Sequence, residues 1–269
     1  MEKAKKMTGL TPEILLGMSQ AHGAEIAEEL MGARQYDYQP KDILIVVHNE
    51  LEYIQKCVIS LAMNTVDYHL YIWDNGSDQQ TRNYLDAVGH STWVTVVRSE
   101  TNEGFIIPNN RLAAMGSNPY IILLNSDTEV ASFWADVMLS WLQHHDDTAL
   151  VGCQGYRLNE EFKGGQVAFG YRSHYVSGWG LCLSREHYEQ HGLFDEEHLT
   201  FAYGEDADLA LRLQEAGHRV YGLHSQLVVH FENKTVQNVT KKRSLQESFD
   251  ANHAYLAQRW ADFPGLHSQ

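Results

Sequence analysis

From residue 42 onward, short apolar runs alternate with amphipathic stretches, and most runs stop at a cluster of small polar or acidic residues. Ile43–Val47, Leu70–Trp73, Trp93–Arg98 and Tyr120–Leu124 are largely apolar or aromatic. Runs of this length without polar alternation predict strands buried on both faces of a sheet. Between them, Glu52–Met63, Thr81–Val88 and Asn109–Gly116 read as helices. Strand and helix alternating at this spacing predict an α/β fold with a mostly parallel sheet and right-handed crossovers.

The second half is less regular. Phe133–His144 reads as a helix, Ala149–Cys153 as a short strand, and Gly155–His174, rich in glycine and aromatics, as loop and antiparallel ribbon. Leu181–Leu183 predicts a strand, Arg185–His191 a helix, Glu205–Ala216 a strongly amphipathic helix, and Gln226–Val229 a last strand ending at His230. At the amino end Thr11 offers a cap and Pro12 suits a first helical turn, so Thr11–Ala33 predicts a helix that Gly17 and Gly23 weaken. Gln35–Lys41 reads as a linker, Leu245–Trp260 as a surface helix, and the end from Phe263 as frayed. The pattern divides the chain into a helical extension with linker (1–40), a first half (41–130), a second half (131–235) and a helical tail (236–269).

Ligands of open α/β sheets sit beyond the carboxyl ends of the strands. Four such ends carry His48-Asn49-Glu50, Asp74-Asn75-Gly76-Ser77, Thr101-Asn102-Glu103-Gly104 and Asn125-Ser126-Asp127. Any one of them is an ordinary turn; Asp-Asn-Gly in particular is excellent turn chemistry. Four on one edge of a parallel sheet imply a shared crevice. Asp127 is a hard oxygen ligand suited to Mg²⁺ or Mn²⁺ and, through the ion, to a diphosphate. Asp74 is placed to accept from a base N–H or a ribose hydroxyl. Further on, Glu205, Asp206 and Asp208 cluster at a helix start, where the dipole accounts for one or two of them. A carboxylate at the mouth of a site serves as general base on a hydroxyl. His230, at a strand end, is a candidate ligand, although an isolated histidine is more often merely packed. No GxGxxG follows the first strand and no GxxxxGK[ST] occurs anywhere, which leaves a dinucleotide fold or a P-loop unsupported.

Composition changes the picture in two places. The formal charge is −15, from 20 Lys+Arg against 35 Asp+Glu. That disfavours a nucleic-acid or anionic-membrane partner, and leaves a metal ion or backbone amides to hold an anionic substrate. Three cysteines without CxxC spacing, an amino terminus without an apolar signal core and no run long enough to span a bilayer suit a soluble cytoplasmic protein. The 15 histidines are scattered, not tracted, so metal storage is discounted.

The ordered set ILIVVHNE, YIWDNGSDQQT, TNEGFIIPNN, IILLNSDTEV, SGWGLCLSREHYEQHGLFDEEH, FAYGEDADLALRLQEAGHRVY and LVVH resembles the family 2 glycosyltransferases of GT-A fold, in a rhamnosyltransferase-like bacterial flavour, across Asp42 to His230. The resemblance implies a Rossmann-like, mostly parallel sheet flanked by helices, with a smaller mixed half on the acceptor side. It implies a nucleotide pocket beginning at Asn49 and Glu50, a base contact at Asp74, and a donor site lined by Asn102, Gly104, Asn125, Ser126 and Glu205. Trp179 and Gly180 fall in the loop that touches donor sugar and acceptor. Asp127 matches the last aspartate of the metal-binding DxD motif, His230 the histidine completing the metal site, and Asp206 the catalytic base. Two departures stand out: the first acid of DxD is Asn125, and Ile106, Ile107 and Pro108 replace the usual small residues of the donor loop. The expected protein is an inverting, Mn²⁺- or Mg²⁺-assisted transferase. Its donor would be a UDP-, dTDP- or GDP-sugar, and its acceptor a hydroxyl on a glycan, a lipid-linked carrier or another molecule. Homo-oligomerisation through the terminal helices is an open expectation. A catalytically silent nucleotide-sugar-binding module and a transferase acting on DNA bases are the alternatives, the second opposed by the charge.

Overall fold

A computed structural model describes residues 12–33, 37–159, 162, 165–231 and 242–263. The amino-terminal half runs α1 (Pro12–Ala33), β1 (Lys41–Val47), α2 (Leu51–Asn64), β2 (Tyr68–Asn75), α3 (Gln79–Val88), β3 (Val94–Ser99), α4 (Ile106–Met115), β4 (Tyr120–Leu124) and β5 (Thr128–Val130). There follow α5 (Trp134–His144), β6 (Thr148–Gly152), β7 (Gly155–Leu158), β8 (Gly165–Ala168), β9 (Tyr175–Val176), β10 (Gly180–Ser184) and α6 (Arg185–His191). The chain closes with α7 (Glu205–Glu215), β11 (Arg219–Gly222), β12 (Val228–His230) and α8 (Lys242–Arg259).

Seven strands form one sheet in the order β11-β6-β10-β4-β1-β2-β3. β1 pairs in parallel with β2 and β4, β2 with β3, and β11 with β6. β10 alone runs against its neighbours β4 and β6. The strand side chains explain the apolar runs. Ile43, Ile45 and Val47 share one face with Leu70, Ile72, Ile122 and Leu124, packed against α2 and α5. Leu44 shares the other with Trp73, Ile121 and Leu123, packed against α4 and α7. With both faces covered, neither parity of the strand has room for a polar residue. Each such side chain contributes roughly 1.5–3 kcal/mol by leaving water.

The reversal of β10 has a functional consequence. Gly180 pairs with Leu124, so the segment entering β10 arrives at the carboxyl edge of β4. Strands from before and after residue 130 therefore share one sheet. A separate two-stranded ribbon, β12 against β5, sets His230 opposite Thr128, next to Asp127.

The α/β expectation holds, and most elements lie within a few residues of where the pattern puts them. Lys41, read as linker, instead begins β1; its ammonium is buried and donates to Val66 O at 2.8 Å. Helix α4 starts at Ile106, ahead of the expected Asn109, because Pro108 fits a first helical turn. The Gly-rich stretch is the expected ribbon, β7 paired with β8 and β9. β5 and β11 were not anticipated; three and four residues are too few to show a period. Helix α1 is interrupted at His22 (φ −141°, ψ 35°). The Thr11 cap, Gln35 and residues 264–269 lie outside the described residues.

Candidate active site

The carboxyl edge of β1, β2 and β4 and the approach to β10 enclose a cavity of about 260 Å³. β1 delivers His48, β2 delivers Asn75, and the turn after β4 delivers Asn125, Ser126 and Asp127. Ser177, Gly178 and Trp179 line the opposite side, with Asn102, Gly104 and Phe105 from the loop before α4. Phe201, Ala202 and Tyr203 lead into Glu205 and Asp206 of α7, and Leu245 of α8 closes the wall.

Asp127 and His230 meet in this cavity. His230 Nε2 stands 3.1 Å from Asp127 Oδ1 and 3.3 Å from Asn125 Nδ2. The imidazole stacks on Trp179, with centroids 5.0 Å apart and planes at 20°. The bond from Phe231 N–H to Asp127 O (2.9 Å) extends the ribbon and fixes the pair in register. A hard carboxylate beside an imidazole fits one edge of a six-coordinate Mn²⁺, and fits Mg²⁺ less well because Mg²⁺ favours oxygen throughout. Among the described residues these two belong to no group of three or more carboxylate, imidazole or thiol donors. A divalent ion would therefore complete its shell with water and with oxygens of a ligand. Asn125, which replaces the first acid of the DxD pattern, pairs with the histidine and adds no charge.

Glu205 and Asp206 open α7. Asp206 Oδ2 accepts from Gly178 N–H (3.0 Å) and Oδ1 from Ala207 N–H (2.8 Å). Burial pushes its carboxyl above the ordinary aspartate range, opposed by those backbone donors. Glu205 is buried, and among the described residues its Oε2 has no hydrogen-bond partner. Burial, and then the charge of Asp206, push Glu205 up to about 8. The two N–H donors on Asp206 favour its charged form, an aid that Glu205 Oε2 lacks, so of the pair Asp206 is the better placed to carry negative charge.

The loop from Phe201 to Gly204 is held from two sides. Gly104 has φ +84°, and a Cβ there would come within 2.5 Å of Phe201 O, so only glycine allows the close approach. Phe201 and Tyr203 also take left-handed backbone (φ 61° and 75°), which costs roughly 1–3 kcal/mol each and persists only where surroundings fix it. Asn252 of α8 does the fixing. Its Oδ1 accepts from Thr200 N–H (3.0 Å), and its Nδ2 donates to the carbonyls of Thr200, Ala202 and Tyr203 at 2.8–3.1 Å. Asn252→Ala is expected to leave several partly buried backbone groups unpaired and to destabilise the chain by ~1–3 kcal/mol. Urea unfolding of the variant measures this; a loss below ~0.5 kcal/mol would mean that the loop does not depend on α8.

Nine of the thirteen residues singled out from the sequence line the cavity: Asn102, Gly104, Asn125, Ser126, Asp127, Trp179, Glu205, Asp206 and His230. Four do not. Asp74, expected at the base, is fully buried, its Oδ1 accepting from Ser77 N–H (3.0 Å) and its Oδ2 from Arg98 Nε (2.6 Å). Asn49 and Glu50 carry left-handed backbone at the start of α2 (φ 60° and 58°). Asn49 Oδ1 accepts from Asp78 N–H (2.7 Å), and Glu50 O receives Tyr53 and Ile54 N–H. Gly180 lies one position behind Trp179, against Cys153. Ile106 and Pro108 are buried in α4 and leave this part of the cavity wall to Phe105.

Ser177, Gly178 and Leu245 line the cavity without having been singled out, and so does His48, read only as part of a strand end. His48 Nδ1 donates to Asn75 O at 2.8 Å. Asn75, read only as part of a turn, is a positioning residue. It donates to Asn102 Oδ1 (3.0 Å) and Gly104 O (2.7 Å) and accepts from Glu103 N–H (2.7 Å). Its buried place at the end of β2 was the available signal.

The large, mostly parallel central sheet flanked by helices matches solved chains of the GT-A fold. GalNAc-T7, solved with UDP, GalNAc and Mn²⁺, superimposes with a TM-score of 0.64 at 17% identity, over 82% of this chain and 53% of that one. A mannosyltransferase of Pyrobaculum calidifontis, solved with GDP-Man and Mn²⁺, gives 0.63 at 14% identity, over 95% and 76%. TarS of S. aureus, in complex with UDP-GlcNAc, gives 0.56 at 15% identity, over 70% and 57%. At these identities the likeness carries the fold alone. In sequence, residues 42–201, well over half of the chain, match Glycosyl transferase family 2, and the chain belongs to that family. A Drosophila melanogaster protein named "Putative polypeptide N-acetylgalactosaminyltransferase 13" is 23% identical over 266 residues, covering 82% of this chain and 48% of that protein. The chain thus spans about half the length of that relative. Among the described residues, no helix is long and apolar enough to cross a membrane.

Proposed function

We propose that this chain is an inverting glycosyltransferase that moves a sugar from a nucleoside-diphosphate donor to an acceptor hydroxyl. One observation carries the reading: the cavity joins a carboxylate–imidazole pair, Asp127 with His230, to a second carboxylate, Asp206, which two backbone N–H groups hold beside the buried Glu205. The first pair suits a divalent ion and the second a proton acceptor; diphosphate departure and hydroxyl attack need one of each. The solved neighbours described above were crystallised with UDP, UDP-GlcNAc or GDP-Man, which supports a nucleotide-linked donor.

In this reading Asp127 and His230 hold Mn²⁺ or Mg²⁺, which when bound neutralises the negative charge of the leaving diphosphate. Trp179 keeps the His230 ring in place by stacking. The acceptor oxygen bonds to the anomeric carbon as the bond to the diphosphate breaks, and its proton passes to Asp206. Gly178 N–H and Ala207 N–H fix that carboxylate, and the neutral Glu205 adds no competing charge. Attack from the face opposite the diphosphate inverts the anomeric centre. Asn75 and Asn252 act through the two loops they hold.

The test is release of nucleoside diphosphate from UDP-, GDP- and dTDP-sugars with Mn²⁺, read with and without hydroxyl acceptors and followed by NMR of the product anomer. Turnover of one donor with inversion is the expected result. Retention would remove the single-base mechanism. Donor binding without transfer or hydrolysis under any condition would make the chain a binding module.

A further inference from the structure

Away from the cavity, α1 is fastened to the body by ionisable side chains that the proposed reaction does not use. Glu29 is buried, and its carboxylate accepts from His224 N–H (2.8 Å), Ser225 N–H (2.8 Å) and Tyr221 OH (3.2 Å). The same carboxylate stands 3.1 Å from His224 Nδ1, which leaves Nε2 as the ring's other ligating atom. Phe169 stacks on His224 with planes at 19°. His22, at the break in α1, brings its ring to 5.0 Å from that of His224 and 4.8 Å from Phe169. Glu25 follows one helical turn later on the exposed side. One ligand atom from each of His22, Glu25 and His224 lies within 4.8 Å of the other two, the only such trio among the described residues.

We propose that His22, Glu25 and His224 form a zinc site that joins α1 to the segment following β11. Two imidazoles and one carboxylate are a donor set that Zn²⁺ takes with water in the fourth position. Imidazole-rich sets select Zn²⁺ over Mg²⁺ and Ca²⁺, so this site differs in kind from the Asp127–His230 pair. Ligand atoms held at ~2.1 Å around a tetrahedral ion stand about 3.4 Å apart. Closing from the present separation takes about an ångström of side-chain movement, which a half-exposed His22 and an exposed Glu25 allow. The Glu29 carboxylate at His224 Nδ1 is the outer contact that orients a ligating imidazole. The three thiols offer no competing site: Cys57, Cys153 and Cys182 are buried, and burial pushes each well above its ordinary value. An ion bound here stabilises the docked state of α1 by mass action.

The test uses the untagged full chain, stripped with chelator, in a calorimetric titration with Zn²⁺ and a thermal melt. Expected are one Zn²⁺ per chain, a higher Tm with Zn²⁺, and no matching rise with Mg²⁺. His22→Gln and Glu25→Gln should keep the metal-free Tm, because both lie on the open side of the cluster, yet lose about tenfold or more in zinc affinity. Asp127→Ala should bind zinc as the wild type does. No stoichiometric zinc, wild-type affinity in both cluster variants, or loss of zinc in Asp127→Ala would each overturn the assignment.

Discussion

Asp206→Asn is expected to lower sugar transfer by about a thousandfold, the middle of the range for loss of a positioned general base, with nucleotide affinity nearly unchanged. The substitution keeps size and shape, but the amide has one oxygen where the carboxylate uses two, for Gly178 and Ala207. It also removes the negative charge that helps to push Glu205 up. Any residual activity should therefore reflect a Glu205 that ionises at lower pH. In the wild type, the acid limb of kcat/KM should lie above the ordinary aspartate value of 3.8, since burial raises Asp206. Single-turnover kinetics on the variant, beside nucleotide titration, separates the two effects. Turnover within about threefold of wild type would end the role assigned to Asp206.

The second large effect is on stability. Glu205 is pushed from 4.5 to about 8 in the folded chain. The folded state therefore binds more protons than the unfolded one between those values, and stability falls as pH rises through that window. The contribution of the protonated group is fully present below pH 4.5 and is lost by about pH 8. The slope is about 1.4 kcal/mol per pH unit at most. Glu205→Gln keeps the shape and has no proton to lose. Its advantage over wild type should be near zero at pH 4.5 and should grow to ~2–4 kcal/mol by pH 8. Urea unfolding at several pH values reads this directly, and parallel curves for the two proteins would refute it. The same substitution removes the neutral acid next to the base, so activity and stability are expected to move in opposite directions.

The legibility of this site in the sequence followed chain geometry. Tyr120–Leu124, buried on both faces, stands out as an apolar run with Asp127 just beyond it, and the edge of the sheet follows from that. What the sequence pattern could not supply were pairings set by three-residue strands. The β5–β12 ribbon that brings His230 to Asp127 is too short to have a period. Asp74 shows the opposite failure. Its place at a strand end invites a ligand, but Arg98, on the neighbouring strand, takes its carboxylate, and cross-strand partners are invisible in one chain read linearly. The grip of Asn252 on the Thr200–Tyr203 backbone escaped for a related reason. An asparagine in a tail helix looks like any surface polar residue until its four contacts are seen.

Calorimetry can decide whether Asp127 and His230 serve a nucleotide-linked donor through a divalent ion. UDP, GDP and dTDP would be titrated with and without Mn²⁺ into the wild type and Asp127→Ala. One nucleotide should gain about tenfold or more in affinity with Mn²⁺, and Asp127→Ala should lose this gain while retaining any metal-free binding. Equal Mn²⁺ dependence in the two proteins, or no binding of any nucleotide, would contradict it.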